Sequence, residues 1–316
     1  MQEKLFLLTS KQIAHRLTEA FDFVWPTATA IWNLRWQVAG FVTACPDATD
    51  SDLNGRFNVG SGIRGANLRR ACIDSSWEGQ QQEFARFLLF EFCALYESWC
   101  EGALHELTSP TKLSKHLQFP TTIKNGIASG GVQHAINSIA ATNSPAMIGS
   151  IYPTIAQNKK NSPQHIEQLL TCYRYFKEVR NSLIHAGGGT SAKFVSAESA
   201  YRQLTASQLG VKEKPAFNGH AAGSRVIISL RGVVGFGEIV LRLVSTLDAE
   251  ITKTAKAEQA FLQRWKEFHG DPPIQVSANP NLCKDRIKKL VRKLGLPTPV
   301  ITPQFEALLR QSQCIV

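Results

Sequence analysis

Apolar residues recur at three- and four-residue spacing along most of this chain, the period of a helix that buries one face. From Ser10 onward Ile13, Leu17, Ala20, Phe21 and Val24 mark a first helix. Trp25-Pro26 interrupts it, because proline removes an amide donor and crowds the preceding turn. A second helix over 27–44 carries Ile31, Leu34, Val38, Phe41 and Val42, with Trp32 and Trp36 read as core or dimer-interface anchors. Residues 47–76 read as a long irregular segment, and 79–107 as the broadest helical stripe, hence a central helix. A weaker helix, broken at its glycines, is expected over 121–141, and 148–155 is apolar without a clear period. Asn161-Ser162-Pro163 reads as a helix start, with Ser162 as cap and a helix to about Ala186 that Gly187-Gly188-Gly189 ends.

The pattern weakens over 190–223, apart from a short helix at 197–204, and 224–230 reads as a strand or as the first turns of a helix. Helical spacing returns from Val233 to Phe268. Residues 274–280 read as a linker, and 281–294 as a basic amphipathic helix. The expected fold class is all-α: a helical domain over 1–272, with loops inserted at 47–76 and 187–223, then a linker and basic tail over 273–316.

Composition narrows the class. The chain has 316 residues, 43% hydrophobic and 19% charged, which is globular composition. No run of eighteen apolar residues is present, so stable membrane insertion is not expected. The start is too quickly polar for a signal peptide. Seven scattered cysteines without a Cys-x-x-Cys pair fit reduced thiols and a cytoplasmic setting, with no disulfide framework. The eight histidines lack metal-ligand spacing, so neither metal nor cofactor is expected.

The net charge of +10 favours a polyanionic partner, RNA foremost. It is concentrated in two segments. A glycine-rich loop carries Arg56, Arg64, Arg69 and Arg70 with no acid among residues 54–70, and glycine amides with forked guanidinium donors suit phosphate. It is neither a Walker loop, since no Gly-Lys-Ser/Thr follows, nor a dinucleotide fingerprint, since no strand clearly precedes it. The basic helix adds Lys288, Lys289 and Arg292 among its cations. A covering surface loop and a solvated helix face are the plainer alternatives.

One stretch carries candidate chemistry: Arg180-Asn181-Ser182-Leu183-Ile184-His185, at the end of a mid-chain helix. Histidine titrates near neutral pH and can serve as acid or base. Arginine stays charged and forks onto phosphate oxygens. Five residues of ideal helix turn Arg180 and His185 about 140° apart, so either His185 swings toward Arg180 at the fraying, glycine-terminated helix end, or two copies across a two-fold axis complement each other. The spacing recurs at Arg264 and His269, where Trp265, not a polar residue, follows the arginine. A purely structural role would pair Arg180 with Glu178 and leave His185 to complement the negative helix end.

The Arg180–His185 stretch resembles the Arg-(four to six residues)-His motif of the HEPN superfamily, in which a polar residue, often asparagine, follows the arginine. The resemblance covers this motif and the helical context of about 79–268. It implies a four- or five-helix bundle that dimerises so that two motifs share one cleft, and metal-independent endoribonuclease activity of the kind found in toxin–antitoxin, abortive-infection and CRISPR-linked defence. On that resemblance His185 does acid–base work, Arg180 binds phosphate, Asn181 positions, and an antitoxin or other defence partner is a candidate. The toxin subgroup controlled by a partner nucleotidyltransferase has tyrosine two places after histidine; Gly187 stands here, so that control is not expected. The alternatives are a non-catalytic HEPN-like module that binds RNA or nucleotide, and a helical interaction protein whose basic tail meets a membrane.

Overall fold

In chain order the helices are α1 (Leu8–Ala44), α2 (Asp50–Phe57), α3 (Trp77–Glu106), α4 (Ser114–Leu117), α5 (Val132–Ile139), α6 (Pro145–Ser150), α7 (Tyr152–Ile155), α8 (Ile166–His185), α9 (Ala192–Arg202), α10 (Leu230–Thr252), α11 (Ala255–His269), α12 (Pro280–Lys293) and α13 (Pro303–Gln311). A short antiparallel hairpin, β1 (Thr122–Lys124) and β2 (Ile127–Gly130), is the one sheet among the described residues. The computed structural model describes residues 4–140, 142–185, 189–220 and 223–316. The fold class is thus all-helical, as the periodicity implies.

The core lies where the first half of α1 meets α3, α8 and α10. Tyr96 stacks on Trp99 at 5.8 Å, Tyr173 meets Tyr96 edge-on at 4.5 Å, and Phe176 stacks on Phe236 at 4.5 Å. Gly237 lets α10 come close to both neighbours: a Cβ there would lie 2.8 Å from the Phe92 ring and 2.9 Å from Phe21. Stacked and edge-on ring pairs of this kind add to the stabilisation from burial alone.

Several expectations need correction. The break at Pro26 does not occur: α1 runs through it for 37 residues. Val24 and Ala28, buried on either side of the proline, hold the helix on course against the missing hydrogen bond. Nor does Ser10 start α1. The carboxylate of Glu106 accepts from Leu8 N at 2.9 Å and Thr9 N at 3.1 Å, and buried Asp248 accepts from Phe6 N at 2.7 Å and Leu7 N at 2.9 Å. Two acids from other helices therefore satisfy the amides that a local cap would serve.

Residues 47–76 are not wholly irregular. Thr49 and Asp52 form a reciprocal capping box that opens α2, and a π turn spans Arg70–Asp74. The expected helix over 121–141 is instead the hairpin followed by α5; Asn125 (φ 52°) and Gly126 (φ 75°) supply its left-handed turn. Ser162 does not cap: its hydroxyl donates to Lys160 O and accepts from Arg242, and a 3-10 turn at Pro163–His165 precedes α8. The long helix expected over 233–268 is two helices. Ser144 N donates to Lys253 O and Ala255 N to Thr142 O, so strand-like pairing interrupts the ladder and Thr254 caps α11. The short helix expected at 197–204 begins earlier, as α9. Residues 224–229 form no strand; Arg225 pairs with Gly189 in an isolated bridge, and Ser229 caps α10. Gly187 and Gly188, the expected stop of α8, lie outside the described residues.

Residues 274–316 dock on the main bundle. Ile274 and Val276 pair in parallel with the chain end, through Ile274 N to Cys314 O at 3.1 Å and Val276 N to Val316 O at 3.0 Å. Ile287, Leu290, Val291, Phe305 and Leu309 bury into the same core as α11. Beyond the bundle, the second half of α1 projects with α2 and the π turn, closed by a small cluster of Val38, Leu53, Leu68 and Cys72. Trp32 and Trp36 are not in either core; both are exposed.

Candidate functional site

α8 has two faces near its end. Tyr173, Phe176 and Val179 point inward, whereas Arg174, Glu178, Asn181 and His185 step along the outer stripe at spacings of four, three and four. Arg180 sits on the flank between them and reaches across to α3.

There Glu97 takes two cations. Its Oε1 pairs with Lys177 Nζ at 2.8 Å and with the Arg180 guanidinium. Lys177 also donates to Gln118 and lies 5.4 Å over the Phe119 ring. All three charged side chains are partly buried, so a low local dielectric strengthens the pairing, and one net positive charge remains. Arg180 therefore pairs with Glu97, and not with Glu178 of its own helix. One of its guanidinium nitrogens meets Glu97, and the side chain also reaches the Cys93 thiol.

Cys93 lies beneath, fully buried. Burial pushes its thiol up to about 12, against the opposing pull of Arg180, so it stays protonated and is no nucleophile. Burial likewise raises the Tyr173 phenol well above its usual range, with Cys93 and Glu97 adding to the effect, and its hydroxyl has no hydrogen-bond partner among the described residues.

Asn181 and His185 share the outer stripe. His185 is exposed in the last turn of α8, where the helix dipole favours a cation, and it makes no ion pair with another described residue. The structure thus brings Arg180 together with Glu97 and Lys177, and Asn181 with His185, but it does not bring Arg180 and His185 together within one copy.

The second match to the spacing is structural. Arg264 is buried, pairs with Glu106 and donates to Phe6 O at 3.0 Å, securing the start of α1. His269 sits 4.8 Å from the Trp265 ring with Nε2 3.3 Å from Leu290 O, and burial lowers its pKa. A cleft of about 680 Å³ opens beside Glu106 and Arg264, away from the Arg180 cluster.

The arginines of the glycine-rich loop divide. Arg56 lies 4.8 Å over the Phe41 ring, and Arg69 binds Asp50 at 3.3 Å and Ala48 O, so both fasten the projecting arm. Arg64 and Arg70 are exposed. On α12, Lys288 pairs with Asp285 at 3.3 Å while Lys289 and Arg292 are exposed. The two basic segments do not form one surface. Lys11 donates to Gly295 O just past α12, whereas Arg56 contacts Phe41; those points on α1 are roughly 45 Å apart along its axis.

Sequence reasoning missed Glu97 and Lys177, whose meeting spans eighty positions and follows only from how α3 packs on α8. It also missed a buried pair near the end of α8. Glu198 accepts from His220 N at 3.1 Å, from Arg202 at 2.8 Å and from His220 Nδ1 at 3.3 Å. Ile227 N donates to His220 Nε2 at 2.9 Å, which makes that nitrogen the acceptor and places the ring proton on Nδ1. With both nitrogens occupied, His220 ties Ile227 to Glu198 and is not available as a base.

Fold and site define a class: an all-helical protein with a cationic, carboxylate-oriented cluster and an exposed histidine at the end of a central helix. Comparison with family models, with curated proteins and with solved structures found no match to this chain.

Proposed function

We propose that this chain is a metal-independent endoribonuclease of the HEPN kind, acting in the cytoplasm as a homodimer in defence against phage or stress. The observation that carries the reading is a pre-oriented Arg180, held by Glu97, followed one and a half turns later by an exposed His185. The 140° between them supports a site built from two copies.

In that site His185 of one copy removes the proton of an RNA 2′-hydroxyl. The 2′-oxygen attacks the adjacent phosphorus and the bond to the 5′-oxygen breaks. His185 of the second copy protonates the departing 5′-oxygen, leaving a 2′,3′-cyclic phosphate that water opens to a 3′-phosphate. Arg180 neutralises the charge that grows on the phosphorane, and Asn181 hydrogen-bonds the phosphate or orients His185. Arg64, Arg70, Lys289 and Arg292 hold flanking phosphates. A silencing partner such as an antitoxin belongs to the same reading.

The test is cleavage of RNA in the presence of chelator. The wild type is expected to cut and to leave cyclic-phosphate ends, with His185→Ala and Arg180→Ala slower by about a hundredfold or more. Full activity in the double variant would overturn the proposal. A second reading, a non-catalytic module that binds RNA or nucleotide, draws on the same ion pair, because Glu97 turns Arg180 away from His185. RNA retained but left intact by the wild type would favour it.

A further inference from the structure

Three of the six tryptophans lie along one exposed face of α1, with half-buried Trp77 at the start of α3 against them. Trp32 touches Trp36 at 5.7 Å and Trp77 at 5.1 Å, and Trp25 continues the line toward the bundle. Trp25, Trp32 and Trp36 are 48%, 39% and 64% exposed, roughly 380 Å² of indole per copy at about 250 Å² a ring. That is approaching half of what one partner contributes to an interface of standard size, about 800 Å². A free surface of this kind marks a contact site.

Its chemistry narrows the occupant. Residues 23–44 contain one charged side chain, Arg35, and it turns inward to Ala71 O at 2.7 Å and Gln80 Oε1 at 3.0 Å. A platform for single-stranded nucleic acid interleaves its rings with cations; residues 23–44 present none outward, and Arg231, which shares the cleft of Trp25, is paired with Glu213 at 2.6 Å. The positions Trp25, Thr29, Trp32, Trp36, Ala39 and Thr43 follow steps of four, three, four, three and four, the seam of a two-helix coiled coil. The seam is large toward the bundle and small toward the tip. A parallel pair would set Trp25 on Trp25 and leave Ala39 facing Ala39. An antiparallel pair about a two-fold axis sets Trp25 against Thr43, Thr29 against Ala39, and Trp32 against Trp36, so Trp25 meets a small residue and the other two rings stack at the centre of the seam.

We infer that the arm is a self-association surface, on which a second copy of this chain packs antiparallel through the tryptophan seam. Pairing sets the outer half of one arm, with its 58–67 loop, beside the base of the other. At that base Trp25 lines a cleft with Asn218 and Ile227, in the segment whose Arg225 pairs with Gly189 beyond α8. The inference stands on the arm alone, whether or not RNA is cut.

Sedimentation of the full chain at micromolar concentration is expected to show a dimer. Trp32→Glu with Trp36→Glu is expected to give a monomer of unchanged helix content. Orientation is read by a short thiol cross-linker in a Cys45→Ser background, since the other six cysteines are buried. Thr29→Cys copies mixed with Ala39→Cys copies are expected to cross-link; Thr29→Cys alone is not, because its two sites lie roughly 15 Å apart along the axis. A monomeric wild type, including one that binds lipid vesicles instead, overturns the inference. So does a dimer that survives both glutamates, or self-linking of Thr29→Cys alone. Dimerisation without RNA cleavage would leave this inference standing and sink the ribonuclease reading.

Discussion

An arginine followed five positions later by a histidine occurs twice in this chain, and their partners separate the two pairs. Arg264 is consumed by Glu106 and a backbone carbonyl, and its histidine is packed against Trp265. Arg180 pairs with Glu97 on a partly exposed flank, and its histidine is exposed. Asp248 shows how far burial governs a single group. Burial raises its carboxyl to about 6, while the amides of Phe6 and Leu7 and the Ser10 hydroxyl pull the other way. Its folded pKa lies above the unfolded value near 3.9, so the native state binds the extra proton between the two. The stabilisation from that proton is fully present below about pH 4 and is lost as pH rises through about 6. Asp248→Asn removes this dependence and points a donor at backbone amides. We expect it to cost about 1–3 kcal/mol at neutral pH, and the gap to wild type to widen as pH falls from 7 to 4. Urea titrations across that range measure both.

Periodicity identified helices well and their interruptions poorly. Proline at position 26 signals a break locally, yet α1 continues because its flanking residues are buried. The pattern over 233–268 is continuous, yet a distant segment pairs at Lys253 and splits it. The Asn125-Gly126 turn was legible as a hairpin signal, but the apolar spacing around it favoured a helix. The hairpin leads into Gly131, whose φ of 77° and approach to Pro120 admit no side chain: a Cβ would lie 2.1 Å from Pro120 O. Gly131→Ala is expected to destabilise by about 2 kcal/mol or more, seen as a lowered Tm, while Gly126→Ala, with open space around it, costs about 1–2 kcal/mol from its left-handed backbone alone.

At the scale of the whole molecule the positive charge is concentrated but divided. One basic segment rides on the projecting arm and the other on α12, beside the start of α1. RNA that engages both must span the length of α1 or bridge two copies. If the proposed RNA contact is made by α12, Lys289→Ala with Arg292→Ala is expected to weaken RNA binding and to make the log–log dependence on salt shallower by about 0.7 per lost phosphate contact. Fluorescence anisotropy over a salt series reads this directly. An unchanged slope would mean that α12 is a solvated face.

The sequence by itself determined the helical class, the central helices α3 and α8, the two basic segments and the one stretch with candidate chemistry. These rest on periodicity, composition and local spacing, which are properties of neighbours in the chain. Only the tertiary structure decided that Glu97 orients Arg180, that Arg264 and His269 are structural, and that the tryptophans of α1 face outward. Those outcomes depend on which faces of distant helices meet, and a helix whose stripe is apolar all along one side does not itself say which partner will cover it, or that none in its own chain will.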